Sequence, residues 1–331
     1  MKRIVALFLA FIMIFTLCAC GAEEPAPTEP EPTETQPAYT PTSYKSLGKR
    51  ISVREMPEKV VVAGPNCAEI FCALGLEDLV IGKCMTNHTL GISEQYKEAY
   101  DSIPTLCEGY PTLDELVESG CDFLYASEWM FSDTLTVDAL EEKGILVFVN
   151  DAASYDDLWA QLRDLSKVFC LDGKGDELIT AETERIDAVA ETLKDTTEPK
   201  KVLIVDSFVG DKIFTAGGDN IENEYLRSAG CVNVFEDLDK SWDAVTVDDI
   251  IAANPDFIII HNYKDSSYSG KVDALKDNPA LQYLDCIRNE RFIKLSLENL
   301  MPGMRSASTV EAIAHTIYYD LFAAADAAAA E

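Results

Sequence analysis

Few residues in this chain could do covalent or metal chemistry. It holds ten cysteines and only three histidines, His88, His261 and His315. Cys67, Cys84 and Cys107 fall near expected strand ends, and His88 follows Cys84 by four positions, so a soft-metal site of thiolates and imidazole can be drawn. The spacing is irregular and no CxxC pair occurs, which favours the plainer reading of these thiols as small buried hydrophobes. No GxSxG elbow, GxxxxGK[ST] loop or HExxH helix is present. His315 lies within a helical run, and no carboxylate pair stands out for general acid–base work. A secreted α/β enzyme therefore finds little support, and neither an intrinsic cofactor nor a bound metal is expected.

Other side chains suit noncovalent capture. Trp129-Met130-Phe131 is a cluster of large apolar groups between a buried run and polar Ser132-Asp133. Such a cluster either lines a surface for an aromatic or macrocyclic guest or caps a lobe. Arg305 offers a bidentate fork for a carboxylate or catecholate, with a salt bridge to a nearby acid as the alternative. Direct ligation of haem iron by Tyr110, Tyr263 or His88 stays available.

The elements that must position these groups alternate. Val60–Gly64, Leu79–Gly82, Asp122–Ala126 and Ile145–Val149 read as short apolar strands, separated by helical runs at Cys67–Leu74 and Leu113–Glu118. Leu158–Leu193 is helical in character, with Ile179, Ile186, Val189, Ala190 and Leu193 on one stripe, stopped at Thr197-Glu198-Pro199. The alternation then restarts, with strands at Val202–Val205, Ile213–Thr215, Phe257–Ile260 and Phe292–Leu295. Helices are expected at Glu222–Ala229, Thr246–Ala253 and Thr309–Phe322. Continuous apolar strands between helices indicate covered, mostly parallel sheets. The expected fold is α/β, with two halves flanking one long helix. The N-terminal lobe spans 45–172, the connecting helix 173–198 and the C-terminal lobe 199–331.

The halves echo each other. Asp114-Glu115-Leu116-Val117 through Asp122-Phe123-Leu124 parallels Asp248-Asp249-Ile250-Ile251 through Asp256-Phe257-Ile258. Each is an acidic helix start, an apolar helix, a turn with Asp and a buried strand. In open α/β sheets a ligand sits beyond the carboxyl ends of the strands. That rule nominates Pro65, Asn66, Cys67, Cys107, Tyr110, Glu128, Trp129, Met130 and Phe131 from the first lobe. From the second it nominates Phe208, Trp242, Tyr263 and the stretch Met301-Pro302-Gly303-Met304-Arg305.

The N-terminus indicates export. Lys2 and Arg3 precede the apolar run Ile4–Leu17, which reaches only about 21 Å as a helix and ends in Leu17-Cys18-Ala19-Cys20. Residues 1–19 read as a signal peptide. The ending resembles a bacterial lipobox, which implies cleavage before Cys20 and lipidation of that residue. Gly21–Ser43 has six prolines and five glutamates, so residues 20–44 are expected to form a disordered tether. A net charge of −31 argues against nucleic acid and anionic lipid as partners.

Several ordered motifs resemble the ABC-transporter substrate-binding proteins of the iron-siderophore, haem and cobalamin type. They are Pro57-Glu58-Lys59-Val60-Val61-Val62-Ala63-Gly64-Pro65-Asn66-Cys67-Ala68-Glu69-Ile70 with Leu74–Gly82, then Gly109-Tyr110-Pro111-Thr112-Leu113-Asp114, Ala229-Gly230-Cys231-Val232-Asn233-Val234, and Asn254-Pro255-Asp256 before a strand. The similarity runs over nearly the whole chain from about residue 50. It implies two Rossmann-like lobes with mostly parallel sheets joined by one long rigid helix, in an extracytoplasmic protein, expected to be monomeric, that holds a ferric siderophore, haem or corrinoid between its lobes. Its partners would be a membrane permease dimer and its ATPase. It also implies that an acid on top of each lobe meets permease arginines, here Asp114 and Asp248, with Glu115 and Asp249 as neighbours able to serve instead. A binder of free metal ions through Cys and His is the alternative.

Overall fold

The computed structural model describes residues 39–329 apart from Asp265, without the side chains of 326–329. The signal segment, Cys20 and the tether up to residue 38 lie outside the described residues. The first lobe is built on four parallel strands in the order Val80–Cys84, Val60–Ala63, Phe123–Ser127, Leu146–Asn150. Every residue of Val60–Ala63 and Phe123–Ser127 is buried, as a sheet covered on both faces requires. The second lobe repeats the plan with Cys231–Asn233, Lys200–Val205, Phe257–Asn262, Phe292–Ser296, again all parallel.

The folded chain starts earlier than residue 45. Thr42–Ser46 pairs antiparallel with Lys49–Val53, Tyr44 is buried against Phe148, and its hydroxyl donates to the Val147 carbonyl at 2.9 Å. Tyr39 donates to the Val168 carbonyl at 3.1 Å. Composition alone placed both tyrosines in the tether, but two aromatic rings with a sheet edge to pack on are enough to fix this stretch.

The long helical run breaks in two. Tyr155–Val168 ends at Phe169, and Lys174–Leu193 starts after Gly173, with Cys170 (φ 54) and Gly173 (φ 78) turning the chain between them. The second helix, 20 residues and about 30 Å long, lies between the last strand of one lobe and the first of the other. Its buried stripe is Ile179, Ile186, Val189 and Leu193, and Ala190 faces outward. It packs on Tyr155–Val168 and on Ser306–Ile317. The buried Glu182 carboxylate accepts the Ala307 N–H at 2.8 Å, at the start of that last helix, where free amides and the helix dipole favour an anion.

Two elements differ from their sequence assignment. Lys212–Ala216 joins Ser207–Val209 and Trp242–Val245 in a separate three-stranded antiparallel sheet, not in the parallel one. The terminal helix starts at Ser306 and stops at Tyr318, whose hydroxyl donates to the Gly230 carbonyl at 2.6 Å, before a further helix Tyr319–Ala329.

Candidate functional site

A cavity of about 640 Å³ opens between the lobes at the carboxyl ends of both sheets. Ser127 and Asn150 end strands of the first lobe on its wall. Asp206, Tyr263 and Leu297 follow strands of the second. Its size is that of a site for a molecule larger than an ion.

The rim is aromatic and spans both lobes. Trp129 meets Tyr110 edge-on with centroids 5.8 Å apart. His88 lies 6.3 Å from Trp129 and 4.8 Å from Tyr263 of the other lobe. Deeper in, Trp242 stacks on Phe214 at 5.6 Å and meets His261 edge-on at 5.8 Å.

The floor on the second lobe is ionic. His261 is fully buried, with Nδ1 3.1 Å from Asp206 Oδ1 and Nε2 3.1 Å from Glu222 Oε2. Burial alone would push the imidazole down; the Glu222 charge and hydrogen bonds to both carboxylates outweigh it and hold the pKa up to about 9. Burial would likewise raise Asp206, yet the hydrogen bond and charge of His261 keep it below its ordinary value. Tyr263 donates to the Asp206 carbonyl at 3.3 Å, and Lys271 Nζ donates to the His261 carbonyl at 2.8 Å. The charged imidazole thus fixes the wall that carries Trp242 and Tyr263.

Three more carboxylates face the space. Glu128 opens the turn that carries Trp129, Asp151 follows the strand Leu146–Asn150, and Asp219 follows Gly217-Gly218. Burial first, then the charges of Asp151 and Asp219, push the Glu128 carboxyl up. Asp151, raised chiefly by burial, accepts a hydrogen bond from Gln161 Nε2 at 2.8 Å. A Cβ on Gly217 or Gly218 would lie 2.2 Å from the Lys240 carbonyl or 2.3 Å from that of Glu236, so only glycine fits and the loop bearing Asp219 is pinned.

The lobes also meet beneath the cavity. Asn66 Nδ2 and Asn150 Nδ2 both donate to the Pro302 carbonyl, at 2.9 and 3.0 Å. Asn66 Oδ1 accepts from Ser127 at 2.9 Å. Gly64 (φ 117) makes room for this contact, because a Cβ there would lie 2.7 Å from Ser127 Oγ.

Of the residues nominated from sequence, His88, Tyr110, Glu128, Trp129, Trp242, Tyr263, Met301 and Pro302 are brought to the cavity together. The others are not. Cys67, Met130 and Met304 are buried in the apolar cores, and Phe131 packs against one of them, as befits side chains pointing back into a lobe. Phe208 is exposed on a strand of the antiparallel sheet. Asn66 serves the Pro302 loop, and the Cys107 thiol donates to the Gly109 carbonyl at 3.2 Å. Burial pushes the Cys67 thiol up to about 12, far from a thiolate. Arg305 does not line the cleft: Nε lies 2.8 Å from Oε2 of buried Glu69 and Nη2 donates to the Gly91 carbonyl at 3.0 Å. The carboxylate its fork fits belongs to the protein.

Sequence reasoning missed Asp206, Asp219, Glu222 and His261. Asp206 and Tyr263 each stand one residue past a buried strand, so the strand-end rule would have reached Asp206. No local signal marks Glu222, which starts a helix.

The echoed segments fold alike. Thr112 and Thr246 cap Leu113–Ser119 and Val247–Ala253, with Glu115 and Asp249 closing capping boxes. Asp122 accepts from the Lys59 amide at 3.0 Å and Asp256 from the Lys201 amide at 2.9 Å, each securing the edge of a central strand. All four acids at the two helix starts are exposed, but Glu115 and Asp249 are engaged in caps and Asp114 and Asp248 are not, and exposed Val117 and Ile251 follow on.

Two matched α/β lobes, one connecting helix and an aromatic, acidic cleft define a two-lobed solute-binding protein. The family model for periplasmic binding proteins matches residues 60–297, and the chain belongs to that family, one of binding proteins and not of enzymes. It is 24% identical over 276 residues to the uncharacterized ABC transporter substrate-binding lipoprotein YvrC of Bacillus subtilis, covering 82% of this chain and 83% of that one. A periplasmic binding protein from Veillonella parvula superposes with a TM-score of 0.75 at 24% identity, covering 84% of this chain and 97% of its own. The structure of an ABC-type Fe3+-hydroxamate transport system from Saccharomonospora viridis gives 0.72 at 21%, covering 84% and 99%.

Proposed function

We propose that the chain is the extracytoplasmic substrate-binding component of an ABC importer, anchored through lipidated Cys20. It holds a bulky iron chelate or tetrapyrrole (a ferric siderophore, haem or cobalamin) between its lobes and hands it to the permease dimer driven by its ATPase. The observation that carries this reading is the cleft, whose aromatic rim is contributed by both lobes at their strand ends. The lipoprotein YvrC and the Fe3+-hydroxamate system point to the same transport role. The matched exposed pairs Asp114 with Val117 and Asp248 with Ile251 give the permease one equivalent contact per lobe. The engaged thiols support the chelate reading over a free-ion site.

The test is to purify residues 39–331, record absorption and native mass spectra, and screen ferric siderophores, haem and corrinoids by thermal shift. A member of these classes should stabilise the protein and quench the fluorescence of Trp129 and Trp242. Stabilisation by a bare metal ion alone, or by none of the panel, would overturn the reading.

A further inference from the structure

We propose that the cleft selects a guest of net positive charge, a cationic metal chelate, and that Glu128, Asp151 and Asp219 recognise that charge; the inference rests on the cleft being the ligand site. Among the described residues lining the cavity five are Asp or Glu and none is Lys or Arg. The five are not equivalent. Asp206 and Glu222 flank His261, whose imidazolium offsets part of their charge within the floor.

The remaining three sit in no ion pair among the described residues, and the hydrogen bonds that Asp151 receives come from neutral groups, the Gln161 side chain and backbone amides. They come from both lobes, Glu128 and Asp151 from one and Asp219 from the other. Closing the lobes therefore sets like charges facing one another, and a cation between them turns that cost into attraction. The aromatic lining points the same way. The rings of Trp129 and Trp242 add faces on which a cationic group can rest.

An anionic guest meets the opposite. A triscatecholate chelate or the propionates of haem would need a basic fork, and Arg305, the obvious candidate, is committed to Glu69.

The experiment uses chelates matched in size and differing in charge. One pair is the ferric trishydroxamate with a free terminal ammonium and its N-acetylated neutral counterpart; another is aquocobalamin and cyanocobalamin; ferric triscatecholate and haem are the anionic members. Affinities are measured by tryptophan quenching at low and high salt. The cationic member of a pair should bind about tenfold tighter at low salt, and the gap should shrink with salt. In Glu128→Gln/Asp151→Asn/Asp219→Asn the ratio of the two affinities within each pair should fall to about one and lose its salt dependence. A neutral or anionic member binding as tightly as the cationic one overturns the inference and leaves the transport reading standing. A preference that survives in the triple variant overturns its assignment to these carboxylates. Failure of every chelate to bind overturns the transport reading itself, and this inference with it.

Discussion

Glu69 and Arg305 join the two lobes through an ion pair whose atoms lie 236 positions apart in the chain and 2.8 Å apart in space. The Glu69 carboxylate is buried, and burial raises its pKa even though Arg305 and the Ser93 amide pull the other way. Arg305→Met should therefore cost about 3–5 kcal/mol in urea unfolding, because it strands a buried charge. Glu69→Met/Arg305→Met should recover most of that loss. A single variant as stable as the parent would show that the pair does not hold the lobes.

His261 makes stability depend on alkaline pH. The folded chain holds its proton up to about 9 against an ordinary 6.5. This contribution, on the order of 3 kcal/mol, is complete below pH 6.5 and is lost as pH rises through 9. Asp206, held below its ordinary value, works in reverse: its contribution is present above about 3.8 and is lost as pH falls through its lowered pKa. His261→Asn should flatten the unfolding free energy between pH 6.5 and 9, read from denaturant midpoints. An unchanged slope would remove the charge from the imidazole.

Trp129 is partly exposed on the rim, whereas Trp242 is held between Phe214 and His261. Trp129→Ala should weaken the best-bound chelate by more than about 1 kcal/mol and leave the melting temperature in place. Trp242→Ala should lower both. Unchanged affinity in Trp129→Ala, read by calorimetry, would return the ring to a purely local role.

Transport should separate from binding. Asp114→Ala/Asp248→Ala is expected to abolish uptake in cells with chelate affinity intact, and Val117→Ser/Ile251→Ser should reduce it. Glu115→Ala should instead lower the thermal midpoint of the protein slightly and leave uptake in place, because its carboxylate closes a helix cap. Loss of affinity in the Asp pair would count against docking.

Thiol reactivity should follow burial. Cys170 is exposed, Cys107 is half-buried and the other six described cysteines are buried. Burial pushes Cys67, Cys72 and Cys231 up to about 12. One thiol should react rapidly with a disulfide reagent in the native protein, Cys170→Ser should remove that phase, and the buried six should require denaturant. A missing fast phase in the parent would mean that Cys170 is already oxidised or covered.

Much of the molecule was determined by local sequence. The covered strands, the capped helices after Thr112 and Thr246, and the Lys174–Leu193 stripe follow from hydrophobic period and end signals that act over a few residues. Tyr110, Trp129, Trp242 and Tyr263 were reachable because strand ends are where an open sheet presents its loops. Only the tertiary structure decided which way each side chain beyond a strand would point, sending Met130 and Cys67 inward and Trp129 outward. It alone paired Arg305 with Glu69 and enclosed His261 between Asp206 and Glu222. Such pairings join residues tens to hundreds of positions apart. Their energy depends on distance and burial, which no short window of sequence encodes.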